Sequence, residues 1–265
     1  MNNDQPPAGT VSLYLRSLAF WFVFALLILV FATLLMLSFP FPLEKRFLLT
    51  QSWSRLVLWW LKVTCKLDYA VEGTENIPDK PGIVFCKHQS TWETTALNLW
   101  FTPQSWVIKR ELLWIPIFGW GARMMKPIAL DRGAGRKAVE QLLREGREHL
   151  HSGRWILVFP EGTRIAAGKT GRYRIGGASL AEFTGAPVTP VAHNAGEYWP
   201  RRGLVKHPGV IRVRIGPAIE TKNKSAAQIL AESKQWIETE MAAITTLQDH
   251  HYGVDDTDRP QAEIR

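Results

Sequence analysis

The sequence predicts an α/β fold: a mixed sheet flanked by helices, entered through an N-terminal hydrophobic helical segment that associates with a membrane. Three observations predict it. Residues 17–43 carry no charge at all, short apolar runs alternate with helical periodicity beyond residue 70, and Pro, Gly and polar residues punctuate those runs. With 265 residues, 46% hydrophobic and 21% charged, the chain is long enough for one domain with a real core, and a wholly disordered chain is excluded.

Residues 1–16 form a polar N-terminal segment, and residues 17–69 read as membrane-anchoring helices. Ser17 to Phe39, 23 residues ending before Pro40 and Pro42, would make a helix about 35 Å long. That exceeds the roughly 30 Å hydrocarbon thickness of a bilayer. A signal-peptide core of about 7–15 residues is shorter, and no small-x-small site follows. A core helix of this length would show a polar face. Lys45, Arg46, Arg55, Lys62 and Lys66 follow the segment with Glu44 the lone acid, so the remainder of the chain is expected to face the cytoplasm. Residues 47–64 read as a second helix. Gln51, Arg55, Lys62 and Lys66 share one face, which suits either a helix in the membrane interface or one packed on the domain.

From residue 70 to 248 the strands are expected at 82–86, 106–108, 127–130, 155–159, 188–192 and 211–215. Helices are expected over 135–151, with Val139, Leu142, Leu143, Gly146 and Leu150 on one face, and from Ser225, where Ser225 and Gln228 form a capping box. The tail, 249–265, is polar and expected to be disordered.

A net charge of +8 points to an anionic partner: nucleic acid, acidic lipid, a phosphorylated substrate or an acidic carrier protein. Two cysteines, Cys65 and Cys86, exclude a disulfide scaffold and a paired-cysteine metal site. The run Gly168–Lys169–Thr170 imitates the end of a phosphate loop, but Thr163 stands where the pattern needs glycine, so nucleotide binding is rejected.

Four polar blocks sit at strand ends. In KHQSTWET (87–94), His88 and Glu93 are five residues apart. On one helix they would diverge by about 140°; they meet only if His88 lies in the loop and Glu93 in the first helical turn. Ser90 and Glu93 fit a capping box, so a purely capping carboxylate competes with one that orients a general base. In FPEGTR (159–164), backbone N–H groups and Arg164 can hold a phosphate, or Glu161 and Arg164 can form an ordinary surface pair. Arg132 in ALDR (129–132) and Lys109 after the third strand are anion-ligand candidates that also suit a solvated sheet edge. The fourth block, 186–196, brackets a short strand with Pro187 and Pro190 and leaves His193 as a spare histidine.

In order and spacing these blocks resemble the membrane-bound glycerolipid acyltransferases, the bacterial 1-acylglycerol-3-phosphate acyltransferases among them. His88 and Glu93 match the family's histidine, four residues, then an acid; Leu130–Arg132, FPEGTR and the strand 186–191 match the rest. The resemblance covers residues 70–220, and one residue departs from it, since the family usually carries Asp where this chain has Glu93.

The resemblance implies acyl transfer from a thioester to the sn-2 hydroxyl of lysophosphatidate, giving phosphatidate at the bacterial inner membrane. It implies His88 as base and Glu93 as its orienting partner. Lys109, Arg132 and Arg164 would hold the acceptor phosphate, Gly162 would allow close approach, Thr163 would belong to the same substrate-binding turn, and Glu161 would place those cations or a glycerol hydroxyl. It implies no metal or other cofactor and no nucleic acid; acyl-coenzyme A or acyl-acyl carrier protein is the donor, and membrane lipid the surroundings. Two alternatives stand beside it: the same chemistry on another acceptor such as lyso-ornithine lipid, and a non-catalytic module that binds anionic lipid.

Overall fold

The computed structural model describes residues 8–247 and 251–254, with side chains for all of these except 8–10, 132 and 251–254. In chain order the helices are α1 (Ala8–Leu37), α2 (Leu43–Cys65), α3 (Trp92–Ala96), α4 (Phe118–Arg123), α5 (Arg136–His151), α6 (Gly176–Thr184), α7 (Ala195–Tyr198) and α8 (Ala226–Ile244). The strands are β1 (Leu67–Glu72), β2 (Ile83–Cys86), β3 (Gln104–Lys109), β4 (Ile128–Leu130), β5 (Trp155–Val158), β6 (Lys169–Thr170), β7 (Val188–His193), β8 (Gly209–Ile215) and β9 (His251–Val254).

Among the described residues, seven strands form one sheet in the order β1-β8-β7-β2-β5-β3-β4. All neighbours are parallel except β7 and β8. The mixed sheet expected from the sequence is therefore present. The central strands are continuous apolar runs because both faces are covered. Val84 and Cys86 pack with α1 and α2 on one face, while Ile83 and Phe85 pack with α5, α6 and α8 on the other.

Helix α1 begins before the expected Ser17 and ends at Leu37, two residues short of the expected Phe39. Val11–Leu37 is long and apolar enough to cross a bilayer, with 22% of its most apolar window buried in the protein. Phe20 and Phe24 form the inward edge, whereas Phe22, Leu26, Leu29 and Val30 stay exposed. Helix α2 takes the packed alternative for one face: Phe47, Val57, Leu58 and Leu61 are buried, while Leu56, Trp59 and Val63 on the other side remain exposed. The expected domain boundary at residue 70 falls inside β1, which pairs with β8 along its whole length. In LDYAVE only one face is covered: Leu67, Tyr69 and Val71 pack on the core while Ala70 and Glu72 point to the open face, so the strand lacks the apolar run that marks the central strands. Of the tail 249–265, β9 lies beside β6; the rest falls outside the described residues.

Candidate active site

Parallel strands end together, so residues far apart in sequence gather at their carboxyl edge. Here His88 follows β2, Lys109 closes β3, Arg132 follows β4, Glu161 to Arg164 follow β5, and His193 closes β7.

His88 lies in the loop before α3, and Glu93 lies in that helix's first turn. Glu93 Oε1 sits 2.8 Å from His88 Nδ1 and accepts from the Gln89 and Ser90 backbone N–H groups at 3.0 and 2.8 Å. The carboxylate thus caps and orients at once. An ionised carboxylate only accepts, so Nδ1 carries the proton and Nε2 presents its lone pair. Burial alone would raise the Glu93 carboxyl, but the His193 and His88 rings and the Ser90 N–H bring it below the usual carboxylate value. The His88 ring stacks on Phe159, centroids 4.0 Å apart, and is 15% exposed.

Behind the dyad lies a buried polar network that the sequence did not reveal. Lys87 Nζ donates to Glu161 Oε1 at 2.6 Å, to Glu238 Oε1 at 2.9 Å and to the Lys169 carbonyl at 3.2 Å. Glu161 Oε2 accepts from the His88 N–H at 2.9 Å. Thr170 and Tyr173 donate their hydroxyls to Glu238. Glu161 therefore supports His88 from behind the cleft and pairs with Lys87, which corrects its expected contact with substrate or with Arg164. Burial opposes the Lys87 ammonium, and the two carboxylates more than offset that, holding it above the ordinary lysine value. Lys87→Met would leave two carboxylates together without a cation. A loss of about 3–5 kcal/mol of stability is expected, read as a lowered midpoint in denaturant.

His193 is not spare. It accepts from the Ala195 N–H on Nδ1 at 3.2 Å and donates from Nε2 to the Lys87 carbonyl at 2.8 Å. Its Nε2 is 3.9 Å from Glu93 Oε2, an oxygen with no hydrogen-bond partner. Burial lowers the ring's pKa and favours the neutral form.

In front of the dyad opens a cleft of about 440 Å³, lined by His88, Thr94, Lys109, Phe159, Gly162, Thr163, Arg164, Arg201 and Arg202, among others. Of the expected anion ligands, Lys109 and Arg164 reach it; the Arg132 side chain lies outside the described residues. Lys109 is half-exposed and pairs with Glu111 at 3.0 Å, a contact worth at most about 1 kcal/mol and easily exchanged for a ligand anion. Gly162 has φ +69°, and a Cβ there would stand 2.8 Å from Arg174 Nε, so glycine suits both the turn and the space. Arg201 and Arg202 come from the chain beyond α7, with no strand-end motif to announce them. A second, apolar cavity lies between α1, α2 and α4, lined by Ile28, Phe31, Leu35, Trp53, Trp106 and Met125 among others. Trp106 lines it, Trp92 packs in the core, and Trp114 and Trp120 are exposed.

Residues 68–194 match the acyltransferase family. A 1-acyl-sn-glycerol-3-phosphate acyltransferase from Pseudomonas aeruginosa is 44% identical over 242 residues, covering 90% of this chain and 92% of the relative. A lyso-ornithine lipid O-acyltransferase from the same organism is 33% identical over 111 residues, 41% of this chain and 42% of its own. The crystal structure of the 1-acyl-sn-glycerophosphate acyltransferase PlsC from Thermotoga maritima superposes with a TM-score of 0.76 at 24% identity, covering 91% and 99% of the two chains. It shares the fold.

Proposed function

The chain belongs to the acyltransferase family, and from that premise we propose that it transfers a fatty acyl group from an acyl thioester to the sn-2 hydroxyl of 1-acylglycerol-3-phosphate, forming phosphatidate. One observation carries the reading: His88, oriented by Glu93, lines the same cleft as Lys109, Arg164, Arg201 and Arg202.

His88 Nε2 takes the proton of the acceptor hydroxyl as its oxygen attacks the thioester carbonyl. Glu93 holds the imidazolium that forms. Collapse of the tetrahedral intermediate expels the thiolate, which recovers the proton from His88. The product is an ester and a free thiol, and the thioester itself supplies the activation. The cationic wall holds the acceptor phosphate at a charge-assisted distance, and the apolar cavity beside α1 receives hydrocarbon. Helix α1 keeps the protein at the cytoplasmic membrane, the basic flank facing the cytoplasm.

The acceptor is tested with purified protein in mixed micelles, offered radiolabelled lysophosphatidate or lyso-ornithine lipid with acyl-coenzyme A and with acyl carrier protein in turn. Phosphatidate is expected, with lyso-ornithine lipid poorer in kcat/KM by about tenfold or more, the equivalent of one charged hydrogen bond. Preference for the zwitterionic acceptor would overturn the phosphate reading, and the productive thioester identifies the donor.

A further inference from the structure

The chain from Trp199 to Lys206 runs from the cleft to α1 and is tied at both ends. At the cleft end Arg201 and Arg202 form part of the cationic wall, and an Arg201 guanidinium N–H donates to the Arg164 carbonyl. At the other end the Lys206 N–H donates to Ser17 Oγ at 2.9 Å, and Trp21 Nε1 donates to the Leu204 carbonyl at 3.0 Å. Ser17 and Trp21 both belong to α1.

Beside these ties lies the Lys206 ammonium. Lys206 is 1% exposed, and among the described residues no carboxylate pairs with it. Its Nζ donates to the carbonyls of Gly203 and Leu204 at 3.3 and 2.8 Å, closing the loop upon itself. The same Nζ stands 4.0 Å from the Trp21 ring centroid, 5.0 Å from Trp199 and 5.8 Å from Phe20. Burial pulls the ammonium down to about 7. Ring faces and two carbonyls are what the charged form receives in exchange for water. Leucine or methionine would fill this space without that desolvation. What the ammonium adds is direction: it turns two carbonyls inward and clasps the loop to α1.

We propose that Lys206 is a positioning residue for the acceptor: by clasping the loop 199–206 to α1, it fixes Arg201 and Arg202 in the cationic wall, so that seating of the membrane helix and grip on the anionic headgroup are coupled. The proposal rests on the reading of that wall as the phosphate site.

The test compares Lys206→Met, Lys206→Arg, Trp21→Phe and the double variant Arg201→Ala/Arg202→Ala, each checked for thermal unfolding and assayed in mixed micelles. The arginine pair variant should raise the KM for lysophosphatidate about tenfold with the donor KM unchanged. Lys206→Met should raise the acceptor KM comparably, with kcat within about twofold, and add little when combined with the arginine pair. Lys206→Arg should recover most of the loss. Trp21→Phe, which keeps a ring but removes the N–H to Leu204, should raise the acceptor KM by a smaller factor and serves if Lys206→Met does not fold. A raised KM in the arginine variant beside an unchanged one in Lys206→Met and Trp21→Phe would overturn the proposal alone. An unchanged KM in the arginine variant would overturn the phosphate reading, and the proposal with it. Equal damage to both substrates' KM and to kcat would reduce Lys206 to a structural prop and overturn the positioning role.

Discussion

His88→Ala is expected to lower kcat for acyl transfer by about 10²–10⁴-fold while leaving the fold in place. The fold should persist because the histidine's structural bonds are backbone bonds. Its N–H still donates to Glu161 and its carbonyl still accepts from the Ile165 N–H at 2.8 Å. Glu93 keeps the Gln89 and Ser90 N–H donors. The lost ring leaves space beside Phe159 at the rim of the cleft rather than in the core. Substrate KM values and the unfolding midpoint should therefore change little. A variant that retains wild-type kcat would remove His88 from proton transfer.

Glu93→Gln is the second large effect, with a kcat loss in the same range of about 10²–10⁴-fold. The amide is nearly isosteric, but neither of its orientations fits. With oxygen at the Oε1 position it can still accept from Gln89, Ser90 and His88, yet its NH2 then faces the His193 Nε2–H. Flipped, it points hydrogens at three groups that are themselves donors and favours the wrong His88 tautomer. In either case the negative charge that stabilises imidazolium is gone. The discriminating measurement is kcat for Glu93→Gln beside Glu93→Asp. Aspartate should restore more activity than glutamine, since charge matters more than reach. Full activity in the glutamine variant would reduce Glu93 to a helix cap.

The parts of the fold that were legible are those whose local pattern and tertiary role agree. Buried parallel strands such as Ile83–Cys86 and Trp155–Val158 show as apolar runs, and Ser225 with Gln228 forms the expected capping box at α8. At the edge the pattern fades, as in β1. The spacing of His88 and Glu93 allowed a contact between loop and first helical turn but left a purely capping carboxylate open. The family resemblance pointed to the pair, and the structure places them 2.8 Å apart. The network behind them was not legible, since Lys87 and Glu238 are 151 residues apart and meet only after α8 packs on the sheet. A buried lysine next to the histidine was a signal available in principle, but a single sequence does not distinguish it from a solvated one. The role of Glu161 was misplaced for the same reason: its partner is Lys87 across 74 residues, not Arg164 three positions on. Arg201 and Arg202 sit in a turn rich in basic and small residues that reads as surface.

The dyad is closed within six consecutive residues, whereas the cationic wall draws on residues 109, 164, 201 and 202. The dyad and the Arg201–Arg202 part of the wall therefore lie on separate pieces of chain. The turn after Trp199 can be rewritten without touching a bond to the histidine, whereas the turn that carries Arg164 also carries Glu161 and leads into Ile165, both bonded to the His88 backbone. An enzyme organised in this way can give rise to catalysts for differently charged lipids through changes confined to its crossovers. Under the proposed reading of the wall as the phosphate site, efforts to redirect acceptor choice are best begun at the turn after Trp199, which carries two of its arginines and makes no bond to His88.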